Sequence, residues 1–333
     1  MAKMSGGQFD KQIRRRYRRR FGKALDMPAA PMQLAQDRNE EIAELAEAVA
    51  GEHCPAGRAA LAQIARAKRI TMSFGAYGDT FDGMLEHKAG RPACRGRAEG
   101  RFHIFCNLDR VGEKDSPRSR FTLAHELGHY FIDEHRNALT AGRAPAHHSQ
   151  CDHESQNLAE QEADHFAANL LMPHSRFLAT AKSVPVGLAG IISLAKAFGA
   201  SLTSTAIRYA AADVSPCAVV KWNWGGFAWK WLSSSTFRAR FRRTVEAPQD
   251  LAEGSPTARA LAGEAPPQCG YFEAGTTASA WFPRVKPGEF RDVIFIEQAI
   301  TLGRFGVLTF LYPVGGKAAF TRTSAGACEH KRG

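Results

Sequence analysis

The sequence predicts an α+β fold followed by a β-rich C-terminal domain. Three observations carry this. Apolar residues recur at helical spacing in several separate segments before residue 213. Between them RITMSF (69–74), GMLEHK (83–88) and RFHIFCN (101–107) change to a period of two, among glycine-rich turns. After Pro216 the helical pattern gives way to short aromatic and β-branched runs.

Taken in order, FDKQIRRRYRRRF sets Phe9, Ile13, Tyr17 and Phe21 four apart on a strongly basic helix. Residues 1–23 hold nine basic side chains against Asp10 alone, which is eight of the chain's eleven net positive charges. The basic balance therefore describes an arm more than the body of the protein. Arg14–Arg20 offer a surface for nucleic acid, acidic lipid or a partner groove, while the commoner origin of such a run is a solvated helix or tail. ALDMPAAPMQLA (24–35) has two prolines and reads as a linker, so residues 1–36 form an arm and linker. Helices follow at about 38–50, with Ile42, Leu45, Ala46 and Val49 on one face, and at about 56–68, with Leu61, Ile64 and Ala65. Beyond the three strands, a helix starts at Ser116-Pro117 and ends near Ile132. Residues 136–154 read as a polar loop. A second strong helix covers about 155–171 and stops at Met172-Pro173, and two shorter ones cover about 187–198 and 202–210. The expected domains are thus 37–213 and 214–333. The second is built from CAVVKWNW, GFAWKWLS, CGYFEAG, ASAWF, DVIFIEQA and GVLTFLYP, with one helix near 255–263 and an unstructured last dozen residues.

A hydrophobic fraction of 44% is enough for a sizeable core. The seven cysteines are scattered and never spaced C-x-x-C, which disfavours a disulfide framework or a zinc knuckle and fits a cytoplasmic protein. No apolar run is long enough to span a bilayer, and no apolar stretch follows the basic N-terminus as it would in a secretory signal.

FTLAHELGHY (121–130) carries the chemistry. On a helix, His125 and His129 lie one turn apart on one face and can offer two imidazole nitrogens to one cation. Glu126, one step round, can reach a water on that cation and act as general base. Gly128 costs about 1 kcal/mol relative to alanine in a helix, so its presence points to close approach of another backbone. A third ligand is needed, and NLAEQEADHFAANLLMP (157–173) offers Glu160 or Glu162. Glu160 shares its face with Ala163, Asp164 and Ala167, small enough for tight helix packing, and Asp164 can fix the tautomer of a ligand histidine. Glu162 has the bulkier His165 and Phe166 beside it. Packing favours Glu160, with Glu162 as the alternate.

RFTLAHELGHYF followed by EQEADHFAANLLMP resembles the ImmA/IrrE family of metallopeptidases, in which a HELGH helix precedes a helix of the form E-x-E-A-N/D-x-F-A-x-x-L-L-M-P. FHIFCN resembles the family's strand ending in Asn, and SLAKAFGASLTSTAIRYA (193–210) its trailing helices. The resemblance spans roughly 60–213. It implies a compact zincin-like metallopeptidase domain, a small sheet packed on the HExxH helix with a helical subdomain. It implies Zn²⁺ held by His125, His129 and Glu160, with Glu126 as general base. The implied activity is endopeptidase cleavage of a repressor of the helix-turn-helix type, relieving repression. The arm of residues 1–36 and the β-rich part after 214, a sensory or substrate-binding domain on this reading, lie outside the pattern.

A non-proteolytic regulator, binding repressor or DNA through the basic arm or a helix-turn-helix-like segment, is the competing reading. LAKAFGASLTSTAIRY resembles such a unit, with Gly199 in the turn, but its second helix carries Arg208 as its one basic residue. His147, His148, Cys151 and His153 match no closed tetrahedral zinc spacing. One of these histidines, or His135, is a candidate to stabilise an oxyanion. KWNWGGFAWKW (221–231) reads more readily as a hairpin with one buried face than as a ligand patch, and GMLEHK as an edge strand on which substrate backbone pairs.

Overall fold

A computed structural model describes residues 30–53, 58–90, 92–93, 96–97, 100–142, 147–149, 157–233, 237, 241, 244–283 and 293–315. The basic arm, the first half of the expected linker and the last dozen residues lie outside the described residues. The fold is mixed α+β, and the chain divides into two compact units. One takes in the chain to His174 together with Ala197–Ser201, and the other takes Ser175–Lys196 and the chain from Leu202 onward.

In the first unit, helix α1 (Ala30–His53) begins within the expected linker. Pro31 falls in its first turn, where the missing N–H costs nothing. Helix α2 (Leu61–Ala67) ends on Arg69, which takes a positive φ of 57°, and the Ile70 N–H bonds back to the Ala65 carbonyl. This is a glycine-type stop made without glycine. It delays strand β1 to Thr71–Gly75, two residues later than the sequence pattern suggests. Strand β2 (Gly83–Lys88) and a short hairpin of β3 (Pro92–Ala93) and β4 (Gly96–Arg97) precede β5 (Arg101–Asn107). A single turn, α3 (Leu108–Val111), leads to α4 (Pro117–Phe131), the helix bearing the two histidines, capped by the Ser116 side chain on the Ser119 N–H.

Residues 136–154 are not all loop. Helix α5 (Asp133–Thr140) begins directly after α4, and His147–Ser149 form strand β6. Helix α6 (Leu158–Leu171) follows, capped by Asn157 on the Ala159 N–H. The main sheet runs β1-β5-β2-β6, with β1 parallel to β5 and the other pairs antiparallel. Strand β2 is therefore not a free edge along its whole length: Gly83, Met84 and Leu85 already pair with Ser149, His148 and His147.

Two buried polar residues fix the approach to β2. Asn107 accepts from the Tyr77 and Asp109 N–H groups and donates to the Gly78 and Phe81 carbonyls. Asp82 is fully buried, and its two oxygens take Arg110 Nε and Arg118 Nη2, both at 2.8 Å. Each satisfies its polar atoms inside the protein, as burial requires.

In the second unit, α7 (His174–Ala181) from its second residue, α8 (Leu188–Phe198) as far as Lys196 and α9 (Leu202–Ala211) lead to strands β7 (Ala218–Asn223) and β8 (Gly226–Leu232). Helix α10 (Pro256–Leu261), strand β9 (Phe272–Thr277), the turn α11 (Ala278–Trp281) and strands β10 (Ile294–Thr301) and β11 (Val307–Pro313) complete it. The sheet is antiparallel throughout, in the order β8-β7-β11-β10-β9. Its core face packs Val220, Trp222, Phe272, Phe295, Val307 and Leu311 against Trp281, Phe282 and Ala260. The opposite face receives α9, with Tyr209 edge-on to Phe310. Burial on both faces is why β7 and β11 read as near-continuous apolar runs. The expected boundary at 213–214 follows composition. Packing divides the chain earlier, because α9 buries Thr205, Ala206, Tyr209 and Ala210 within the second unit. KWNWGGFAWKW is a hairpin, with Trp222 in the core and Trp224 and Trp231 exposed. ASAWF, read as a strand, turns as α11, placing Trp281 under the sheet rather than in it. Among the described residues no single helix is long and apolar enough to cross a membrane.

Candidate metal centre

The two helices that flank the site meet at their small residues. A Cβ on Gly128 would stand 3.2 Å from the Ala163 Cα, the Ala163 carbonyl oxygen and the Phe166 ring. Glycine on α4 and alanine on α6 thus set the separation, and with it the reach of side chains from one helix to the other. Replacing Gly128 by Val recovers only about 0.3 kcal/mol of helix propensity, because valine itself ranks well below alanine, and it drives a branched side chain against the Ala163 backbone and the Phe166 ring. The net effect expected is destabilisation by about 1–3 kcal/mol, with weakened metal binding. Urea unfolding followed by far-UV circular dichroism checks this, and a variant as stable as wild type would show that α6 can yield.

At this separation His125, His129 and Glu160 converge. The two Nε2 atoms lie 3.1 Å apart. Glu160 places Oε2 at 3.2 Å from His125 Nε2 and Oε1 at 3.3 Å from His129 Nε2. All three residues are buried, and they are the group able to hold a metal among the described residues. His125 Nδ1 lies 2.8 Å from Asp164 Oδ1. A carboxylate accepts, so the proton sits on Nδ1 and the Nε2 lone pair faces the other donors. Lone pairs of two imidazoles and a carboxylate pointed at one another repel unless a cation stands among them. For a tetrahedral ion with bonds of about 2.0–2.1 Å, donor atoms lie about 3.3–3.4 Å apart. The observed spacing suits a small four-coordinate cation such as Zn²⁺.

Glu126 is fully buried on the adjoining side of α4. Gly83, the first residue of β2, lies against it. A Cβ there would stand 2.8 Å from Glu126 Oε1 and run into Thr122 Cγ2. The start of β2 and the carboxylate are thus in contact only because residue 83 has no side chain.

Glu162 does not join the ligand set. It points to His135 Nε2, 3.1 Å from Oε2, and to Arg38, whose Nε and Nη2 lie 3.1 Å from Oε1 and Oε2. Burial raises its pKa, but the hydrogen bonds from His135 and Arg38 more than offset that and hold it below the usual carboxylate value. Two residues along a helix turn through about 200°, which separates Glu160 and Glu162 onto different sides of α6. His135 meets His129 at Nδ1, 3.1 Å away, behind the ligand ring and on the side opposite Nε2. That position does not suit an oxyanion partner. His147 and His148 lie on β6, opposite Leu85 and Met84, while Cys151 and His153 lie outside the described residues. Arg208, the one basic residue of α9, is half-buried, with its Nε enclosed. Sequence reasoning missed the roles of Asp82, Arg38 and His135. None belongs to a motif, and the partners that define them, Arg110 and Arg118 for Asp82 and Glu162 for Arg38 and His135, are distant in the chain.

Residues 112–209 match the peptidase M78 family model, described as an IrrE N-terminal-like domain. The chain carries an IrrE N-terminal-like domain. The matched stretch holds both histidines, Glu126, Glu160, Glu162 and Asp164. It is shorter than the span of resemblance read from the sequence, since α2 and strands β1–β5 lie before it. No curated protein matches the chain. Among solved structures, one described as a Mycobacterium tuberculosis transcriptional regulator matches at 14% identity and a TM-score of 0.49. That match covers 87% of this chain and 82% of the other.

Proposed function

We propose that this chain is a zinc-dependent endopeptidase of compact zincin-like architecture, working in the cytoplasm, and that it cuts a repressor of the helix-turn-helix type to relieve repression. The single observation that carries the reading is the convergence of His125, His129 and Glu160 at 3.1–3.3 Å beside a buried Glu126. The match to a peptidase family model over the same residues supports it. Bound by these three side chains, Zn²⁺ supplies a Lewis acid that acidifies water and polarises the scissile carbonyl. Asp164 holds His125 in the tautomer that leaves Nε2 free to bind. Glu126 accepts the proton of the attacking water on its carboxylate and returns it to the leaving nitrogen. Burial keeps bulk water from competing at that carboxylate.

The test incubates Zn²⁺-loaded protein with a repressor encoded beside its gene. Cleavage is expected, its loss on chelation, and its return on adding Zn²⁺. Cleavage indifferent to chelation would overturn the metal mechanism. Repressor binding without any cleavage would instead favour the non-proteolytic regulator.

A further inference from the structure

The two ligand histidines are supported differently. His125 leans on a carboxylate directly, through Asp164. His129 leans on another imidazole: its Nδ1 lies 3.1 Å from His135 Nδ1. His135 Nε2 lies 3.1 Å from Glu162 Oε2, and Arg38 grips both Glu162 oxygens. Arg38 also reaches Glu134 Oε2 at 3.2 Å. The series crosses four helices, α4, α5, α6 and α1, and His135 and Glu162 are each only 2% exposed.

With His129 Nε2 reserved for the cation, one placement of protons satisfies every link. Arg38 has only donors, so Glu162 accepts from it as a carboxylate. A carboxylate accepts from His135 too, so the His135 proton sits on Nε2 and its Nδ1 is a bare lone pair. That lone pair requires a donor, and His129 Nδ1–H is the one that faces it. The His129 proton is then on Nδ1, and Nε2 is left bare toward His125 and Glu160. The reverse placement would set a lone pair of His135 against the Glu162 carboxylate. It would also put the His129 proton on Nε2, the atom that must bind the cation. The carboxylate therefore selects the tautomer of a ring with which it has no direct contact.

We propose that His135, clamped by Glu162 and Arg38, is the positioning residue for the ligand His129, acting through its tautomer and ring orientation. This explains why α6 carries two glutamates two apart: Glu160 binds, and Glu162 holds the ring behind the other ligand. The inference rests on the reading of His125, His129 and Glu160 as a metal site, and not on which peptide is cut.

The experiment measures Zn²⁺ affinity of the full chain by competition with a chromophoric chelator, with apo-protein melting temperature followed in parallel. His135→Phe keeps the ring and removes its nitrogens. Zn²⁺ affinity is expected to fall about 10–100-fold, with the apo melting temperature little changed. Glu162→Gln is expected to act in the same direction, and the double variant to be no worse than the more severe single one, as for links in one series. His135→Gln, which keeps an acceptor oxygen, is expected to recover part of the loss. Affinity within twofold of wild type in His135→Phe, or fully additive effects of the two sites, would overturn the proposal. If His135→Phe fails to fold, Glu162→Gln alone decides by the same criterion. Wild-type protein that binds no Zn²⁺ would bring down the metal site and this proposal together. Binding that is indifferent to His135 would bring down the proposal alone.

Discussion

Replacing Glu126 by Gln is expected to lower the rate of peptide hydrolysis by about 10²–10⁴-fold, the usual contribution of a general base, while leaving Zn²⁺ affinity within a few-fold of wild type. Gln has the same shape, so the contact with Gly83 is kept and the buried volume is unchanged. What is lost is a group able to take a proton. Metal affinity is spared because the donor atoms that converge belong to His125, His129 and Glu160, with Glu126 outside that set. The check is kcat/KM on a peptide that the wild type cleaves, beside a calorimetric Zn²⁺ titration. A variant that cuts at the wild-type rate would assign the base elsewhere. One that loses metal as well as activity would show that Glu126 helps to build the site.

Asp82→Ala is expected to destabilise the first unit by about 2–4 kcal/mol. The carboxylate is fully buried and serves two guanidinium groups at 2.8 Å, those of Arg110 and Arg118. Removing it leaves both without their acceptor. The cost falls in the lower part of the range for buried pairs because Arg110 and Arg118 reach water, at 27% and 34% exposure. Asp82 also sits next to Gly83, so its loss loosens the strand start that lies against Glu126. Urea unfolding should be followed by far-UV circular dichroism. All five tryptophans lie between residues 222 and 281, in the second unit, and fluorescence would miss the change. An unchanged midpoint would mean that the two arginines re-solvate without cost.

Much of this was legible from local pattern. GMLEHK and RFHIFCN form strands with the bounds their periodicity gives, and Ser116-Pro117 starts its helix as a capping pair should. Ala163 and Ala167 predicted the tight meeting of α4 and α6, and Gly128 a point of close approach. What was not legible is non-local or breaks a local rule. Arg69 ends a helix in a conformation that usually selects glycine. Helix α7 starts directly after the Met172-Pro173 stop, so one breaker hid a new beginning. ASAWF has the composition of a strand, but its tryptophan is needed beneath the sheet. His135 lies six residues beyond His129, across the break between two helices at Ile132, where no periodicity relates them. Small neighbours favoured Glu160 from the sequence, but the partners that hold Glu162 lie on α1 and α5, which no spacing rule connects to it.

The pairing of β6 with β2 has a consequence for any extended chain that comes to that edge. A peptide that pairs with Gly83–Leu85 must displace His147–Ser149. That segment belongs to the same chain, and so competes intramolecularly with any peptide that arrives. The apparent affinity at the edge is the intrinsic one scaled by the fraction of molecules in which β6 has left. Residues 83–85 therefore tune it twice, through the contacts they offer an incoming chain and through those they already make with β6.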